Sequence, residues 1–301
     1  MKLQLPKLNL PRSVKTILKL TISAVIIYLV LTKIDEGLLV EVVKEANWWW
    51  VVWAVLWFVF SKIISAFRFN TMLKAEDIEL STRDNLRLYW LCMYYNLLLP
   101  GGISGDGYKI KVLMDWFAKP FKRMFTVTLI DRLSGLIALG QISVLLILWV
   151  TDAGMYWVMA LAALLVSFGL GWYIFKWAGG RLPGVWLLTS VQSLGVQGSQ
   201  ALATLGLVFA LGHGQHWAEY IILFLVSSVM AMIPVTIGGA GARELTFLYG
   251  AQFLDIQAEK AVAIAFLFYI ISSAVSFFGI VYSFNKEKVF TIASQKMSEK
   301  T

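Results

Sequence analysis

The sequence predicts an all-α, polytopic membrane protein with six full transmembrane helices and two re-entrant helical hairpins arranged as an inverted repeat. Three observations carry this reading. Hydrophobic residues make up 59% of the 301-residue chain and charged residues only 15%, where a soluble domain carries about a quarter. Apolar runs of roughly span length alternate with short charged segments. Two of those runs end in matched glycine turns, Pro100–Asp106 (PGGISGD) and Ile233–Glu244 (IPVTIGGAGARE). Hydrocarbon offers the backbone no water to bond, so non-helical backbone at that depth has to be buried in protein or line a wet cavity.

The net charge of +8 does not point to nucleic acid, because the positive residues cluster between apolar runs. Cys92 is the single cysteine, so an intramolecular disulfide is excluded. Thirteen tryptophans suit a chain with many membrane–water interfaces.

In chain order, residues 1–20 carry Lys2, Lys7, Arg12, Lys15 and Lys19 and no acid, and the apolar run Ile17–Leu31 follows. Without a small-x-small cleavage site this reads as an uncleaved first span, its N-terminus in the cytoplasm. Lys33–Ala46 is net acidic and suits the outside. Trp48, Trp49 and Trp50 anchor a second span over about Trp48–Phe67, and the mixed-charge stretch Arg68–Arg87 ends it inside. Leu86–Leu99 amounts to roughly 21 Å of helix, too short for ~30 Å of hydrocarbon. The basic segment after it returns to the cytoplasm, so the economical solution is a hairpin, 86–118. Pro120 starts a long span, Phe121–Val150, followed by Met155–Trp177 and Trp186–Leu211. Tyr220–Ile233, the glycine turn and Leu245–Leu254 form a second hairpin, 220–254, entered from outside. A last span over about Ala261–Phe284 leaves the lysine-rich tail inside.

Span, span, hairpin, span thus fill residues 1–150, and the same four elements fill 151–301 with opposite orientation. Two such repeats make one membrane domain that encloses a site near the midplane and exposes it alternately to each side. The expected location is the cytoplasmic (inner) membrane, with both termini cytoplasmic.

The glycine turns are the first candidates for chemistry. Pro100 and Pro234 remove backbone donors, and Gly101, Gly102, Gly238, Gly239 and Gly241 let an unwound segment present its N–H groups to a ligand. The half-helices restarting near 105 and 241 aim their positive dipole ends into the gap, which favours anions and phosphate especially. Close-packed helix kinks are the plainer alternative. Asp131 and Arg132 come next. Arg132 lies about 13 Å deeper along its helix than Arg123, where a bare charge costs at least ~2.5 kcal/mol. Either a lipid phosphate or a buried salt bridge, to Asp106, Asp131 or Glu244, answers that cost. Arginine suits bidentate phosphate contact. Arg243 is assigned to the anion and Glu244 to a helix partner or a substrate ammonium; Asp106 and Lys109 correspond to them in the first hairpin. A solvated face accounts equally well for Lys109.

Thr189, Ser193, Gln197, Gln200 and Thr204 fall within roughly 80° of one another on the span 186–211. This polar stripe serves either interhelical hydrogen bonding or a hydrophilic track. Other motifs fail. Gly102-Ile103-Ser104-Gly105 resembles an intramembrane protease turn, but His213 and His216, the only histidines, lie in an outer loop. Their H-x-x-H spacing lacks further metal ligands, and no Walker lysine motif is present. No cofactor is expected.

Taken together, Pro100-Gly101-Gly102…Gly105-Asp106, Asp131-Arg132-Leu133-Ser134-Gly135 and Pro234…Gly238-Gly239-x-Gly241-x-x-Glu244 resemble the lysylphosphatidylglycerol synthase transmembrane region, a family of flippase-like integral membrane proteins. The resemblance implies translocation between leaflets of an anionic, aminoacylated or polyprenyl-phosphate-linked lipid. It does not imply synthesis, since the chain shows no aminoacyl-transferase domain. The expectation is therefore a lipid transporter with its headgroup held between the hairpin tips. An intramembrane enzyme and a non-transporting scaffold are the alternatives, and homo-oligomerisation is left open.

Overall fold

The computed structural model describes Thr21, Tyr28 and residues 44–98, 104–150, 154–212, 214–232 and 241–283. The expected first span lies almost wholly outside these residues, as do the tips of both glycine turns. The described residues form nine α-helices, with short 3-10 turns between or after some of them. They are α1 (Trp48–Lys74), α2 (Thr82–Leu98), α3 (Ser104–Phe117), α4 (Phe121–Val150), α5 (Gly154–Ala178), α6 (Trp186–Ala210), α7 (Trp217–Met232), α8 (Ala242–Phe253) and α9 (Ala258–Phe277). The chain is a multi-pass membrane protein: four stretches, Trp48–Lys74, Phe121–Trp149, Trp157–Ala178 and Ala258–Tyr282, are long and apolar enough to cross a membrane. Helix α6 has 25 residues but carries the polar stripe that dilutes its hydropathy. Helices α2, α3, α7 and α8 have 17, 14, 16 and 12 residues, each short of the ~20 that a full crossing needs.

Local signals set several boundaries. Asn47 caps α1, its side-chain oxygen accepting from Trp49 N–H at 3.1 Å. Pro120 precedes α4, and its carbonyl accepts from Arg123 and Met124 N–H. Gly179 and Gly180, at φ +67° and +64°, stop α5 in a region that side chains disfavour. One boundary corrects the sequence reading: α1 does not end at Phe67 but continues through Arg68 to Lys74.

Helix α1 packs most extensively against α6. Gly206 permits the approach, since a Cβ there would lie 3.0 Å from Trp50 O and 2.7 Å from Trp53 Cδ1. Helix α2 packs on α3, and α7 on α8. Each first arm also reaches across the chain, α2 to α9 and α7 to α4. Helices α2 and α3 approach closely at Gly105, whose N–H donates to Asn96 Oδ1 at 2.8 Å. A Cβ on Gly105 would sit 2.0 Å from Cys92 O, whereas one on Gly107 would meet nothing within 4 Å. Gly105→Ala is therefore expected to destabilise by about 1–3 kcal/mol or more, because backbone rather than a side chain has to yield. Gly107→Ala is expected to be neutral or slightly stabilising; thermal unfolding in detergent checks both.

The interior is layered. One apolar cluster takes Val51, Ala54 and Phe58 of α1 with Leu207, Phe224, Phe247 and Phe268. A second takes Phe69, Met72 and Leu73 of the same helix with Leu91, Leu113, Val127 and Ile130. Between them α1 buries Ser61, Ser65 and Arg68, and α4 buries Asp131 and Ser134. This polar layer crosses α1 near the middle of its length, and it positions the site.

At one end of the bundle, Arg123 donates to both carboxylate oxygens of Glu76 and to Gly179 O. Lys119 Nζ donates to Glu76 O at 2.8 Å, and Arg181 pairs with Asp77. The segment after α1, the start of α4 and the end of α5 are thereby tied together.

Candidate functional site

A cavity of about 290 Å³ opens in the polar layer, walled by α1, α2, α3, α4 and α6 with Met232 from the end of α7. Four cationic side chains line it, Lys62, Arg68, Lys109 and Arg132, against two carboxylates, Asp106 and Asp131. Ser65, Tyr89, Asn96, Gln197 and Gln200 complete the polar part of the wall.

Both carboxylates are engaged. Asp131 accepts from Arg68 Nε at 2.8 Å, and Arg68 Nη1 donates to Ser193 Oγ at 3.0 Å. Arg68 is only 5% exposed, so this is a buried ion pair with its remaining donors partly satisfied by α6. Asp106 accepts from Arg132 and lies 3.6 Å from Lys109 Nζ. The Lys109 ammonium also sits over the rings of Phe69 (4.2 Å) and Tyr89 (5.0 Å), a placement that the negative face of an aromatic ring favours. Lys109 is thus buried in the site rather than on a solvated face.

Lys62 differs from the other three cations. It makes no ion pair among the described residues; its ammonium lies 4.5 Å from the centre of the Phe58 ring. The positive charges of Arg243 and Arg68 both bear on it. Arg243 does not line the cavity. Its Nη1 donates to Ser227 Oγ at 3.0 Å and to Ser228 Oγ at 3.4 Å, and its guanidinium rests on Phe224 and Phe268.

Among the predicted site residues, Asp106, Lys109, Asp131, Arg132, Gln197 and Gln200 are brought to one cavity. Of the salt-bridge partners considered for Arg132, the structure selects Asp106. Glu244 is otherwise employed than on a helix partner or an ammonium: its Oε2 accepts from Gly241 N–H at 2.8 Å and caps its own helix. Gly241 holds φ +85° at that N-cap. Thr189 and Thr204 bond back to the carbonyls of Trp186 and Gln200 in α6, so the stripe divides into a packing part and a cavity-facing part. Pro100, Gly101, Gly102, Pro234, Gly238 and Gly239 lie outside the described residues.

Sequence reading passed over Lys62 and placed Arg68 in a loop. A signal was present. Ser61, Lys62, Ser65 and Arg68 fall within about 120° of one another at 100° per residue, a polar side on an otherwise apolar span.

The arrangement can attract and hold an anion. Its four cations exceed its two carboxylates, and the surrounding apolar clusters keep the local dielectric low, where electrostatic interactions are strong. Comparison with known proteins adds family membership. No curated protein matches the chain. Residues 16–182 match the family described as lysylphosphatidylglycerol synthase TM region, and the motif at 234–244 lies beyond the matched part. That match takes in α1 to α5 and hence most of the cavity wall; the chain belongs to the lysylphosphatidylglycerol synthase TM region family, membrane proteins related to lipid metabolism or transport.

Proposed function

We propose that the protein is a lipid transporter that moves a phosphate-bearing lipid between leaflets, with the headgroup in the polar cavity and the acyl chains left in the bilayer. The observation that carries this reading is the charge of the cavity wall, four cations against two carboxylates at mid-height of a membrane-spanning helix. A headgroup phosphate supplies the missing negative charge. Arg132 and Lys62 hold it, and Arg243 stands behind Lys62.

The reading includes alternating access by two inverted halves, 1–150 and 151–301. The packing supports it: α2 lies on α9 as α7 lies on α4, with α1 and α6 together at the centre. The two pairs of short helices serve as re-entrant hairpins, and the apolar run 17–31 with α1, α4, α5, α6 and α9 gives six full spans. In this reading both termini are cytoplasmic and the membrane is the inner one; the bias of Lys and Arg in the short loops supports that orientation.

Reconstituted vesicles test the reading. Wild-type protein is expected to accelerate transfer of an anionic lipid across the bilayer, and Arg132→Ala with Lys62→Ala to slow it at least ~100-fold, the scale of two lost charge-assisted contacts. Undiminished transfer by the double variant refutes the assigned roles.

A further inference from the structure

The cavity wall carries information about the headgroup beyond its phosphate. Both carboxylates are occupied, Asp131 by Arg68 and Asp106 by Arg132 and Lys109. Glu244, the remaining acid of the sequence motifs, caps its own helix. An ammonium entering the cavity would meet a positive surplus and no uncommitted carboxylate. Neutral hydrogen-bonding capacity, by contrast, is left over. Gln197 Nε2 donates to Gly135 O at 3.0 Å, but its Oε1 is buried and has no partner among the described residues. Gln200, one helical turn further along α6 and also on the wall, makes no side-chain hydrogen bond among them. A buried acceptor left unpaired is costly, and a hydroxyl is the group that both donates to and accepts from a carboxamide.

We propose that the cavity takes a hydroxyl-bearing phosphate ester, a polyol- or sugar-phosphate headgroup, with the phosphate drawn to Lys62 and the hydroxyls bonded by Gln197 and Gln200, and that it rejects amine-bearing headgroups. This rests on the transporter reading and narrows its substrate.

The test uses the full chain in phosphatidylcholine vesicles containing phosphatidylglycerol or phosphatidylethanolamine. Transfer is read by periodate oxidation of the outer-leaflet diol and by amine labelling with an impermeant reagent. Phosphatidylglycerol is expected to move at least ~tenfold faster, because a site with unmet hydrogen bonds discriminates against a ligand that cannot make them. Gln200→Leu, which loses no side-chain hydrogen bond among the described residues, is expected to shrink that preference severalfold, and Gln200→Asn to restore part of it. Lys62→Gln is expected to slow phosphatidylglycerol transfer ~tenfold or more, as befits loss of a charge-assisted contact. Equal rates for the two lipids, or an unchanged preference in Gln200→Leu, overturn the inference and leave lipid transport standing. Uptake of labelled glycerol 3-phosphate without lipid transfer upholds the hydroxylated-phosphate site and overturns the lipid as its substrate.

Discussion

Arg68→Ala is expected to cost the fold about 3–5 kcal/mol, because it leaves the Asp131 carboxylate as an uncompensated charge in the polar layer. Arg68 and Asp131 are 6% and 9% exposed at their side chains, so water reaches the orphaned carboxylate only from the cavity and replaces its partner poorly. Ser193 Oγ loses the donor that reaches it from α1 at the same time. Asp131→Asn is expected to be milder, since the carboxamide oxygen still accepts from the guanidinium. Replacing both by leucine is expected to recover most of the loss, because a buried ion pair returns little more than its desolvation costs. The thermal unfolding midpoint in detergent orders the four proteins as wild type, double leucine, Asp131→Asn, Arg68→Ala. A midpoint for Arg68→Ala equal to that of wild type would mean that the pair is not formed.

That pair also shows where the sequence was legible and where it was not. Helix α4 was read with its observed ends, Phe121 and Val150, because a proline precedes an uninterrupted apolar run. The four short helices α2, α3, α7 and α8 were recognisable as runs too short to span, paired about glycine-rich breaks in the sequence. The depth of Arg132 followed from helix rise alone, and Asp106 was among its anticipated partners. Arg68 was misplaced because a charge at the end of an apolar run reads as an exit from the membrane. Nothing in Arg68-Phe69-Asn70-Thr71-Met72-Leu73-Lys74 stops a helix, however, and Phe69, Met72 and Leu73 supply an apolar side that the second core cluster buries. What keeps Arg68 inside is Asp131, 63 positions away, a contact that no local pattern encodes. Glu244 erred in the opposite direction. Three residues after Gly241 it satisfies the spacing of a capping box, a local use of the carboxylate within its own helix.

The polar layer also predicts a substitution whose two effects have opposite sign. Asp106 holds Arg132 and Lys109; Asp106→Asn removes one of the two negative charges facing four positive ones. An anionic headgroup then meets a larger unneutralised surplus in a low-dielectric cavity. Its dissociation constant is expected to fall about tenfold, equivalent to roughly 1.4 kcal/mol. Transport is not expected to gain. In alternating access the headgroup has to leave on the far side, and stronger binding in the loaded state deepens the well from which it must escape. Transfer at saturating lipid is therefore expected to slow at least ~tenfold while binding tightens. A misfolded variant cannot give this result, since it would lose both. Asp106→Ala lacks the carboxamide that still accepts from Arg132, so it is expected to tighten binding less and to destabilise the α3–α4 contact. Lipid retention through purification, read by mass spectrometry beside the vesicle transfer rate, separates these outcomes. Loss of bound anionic lipid from an Asp106→Asn protein with the wild-type unfolding midpoint would show that this carboxylate serves the ligand directly rather than restraining the cations around it.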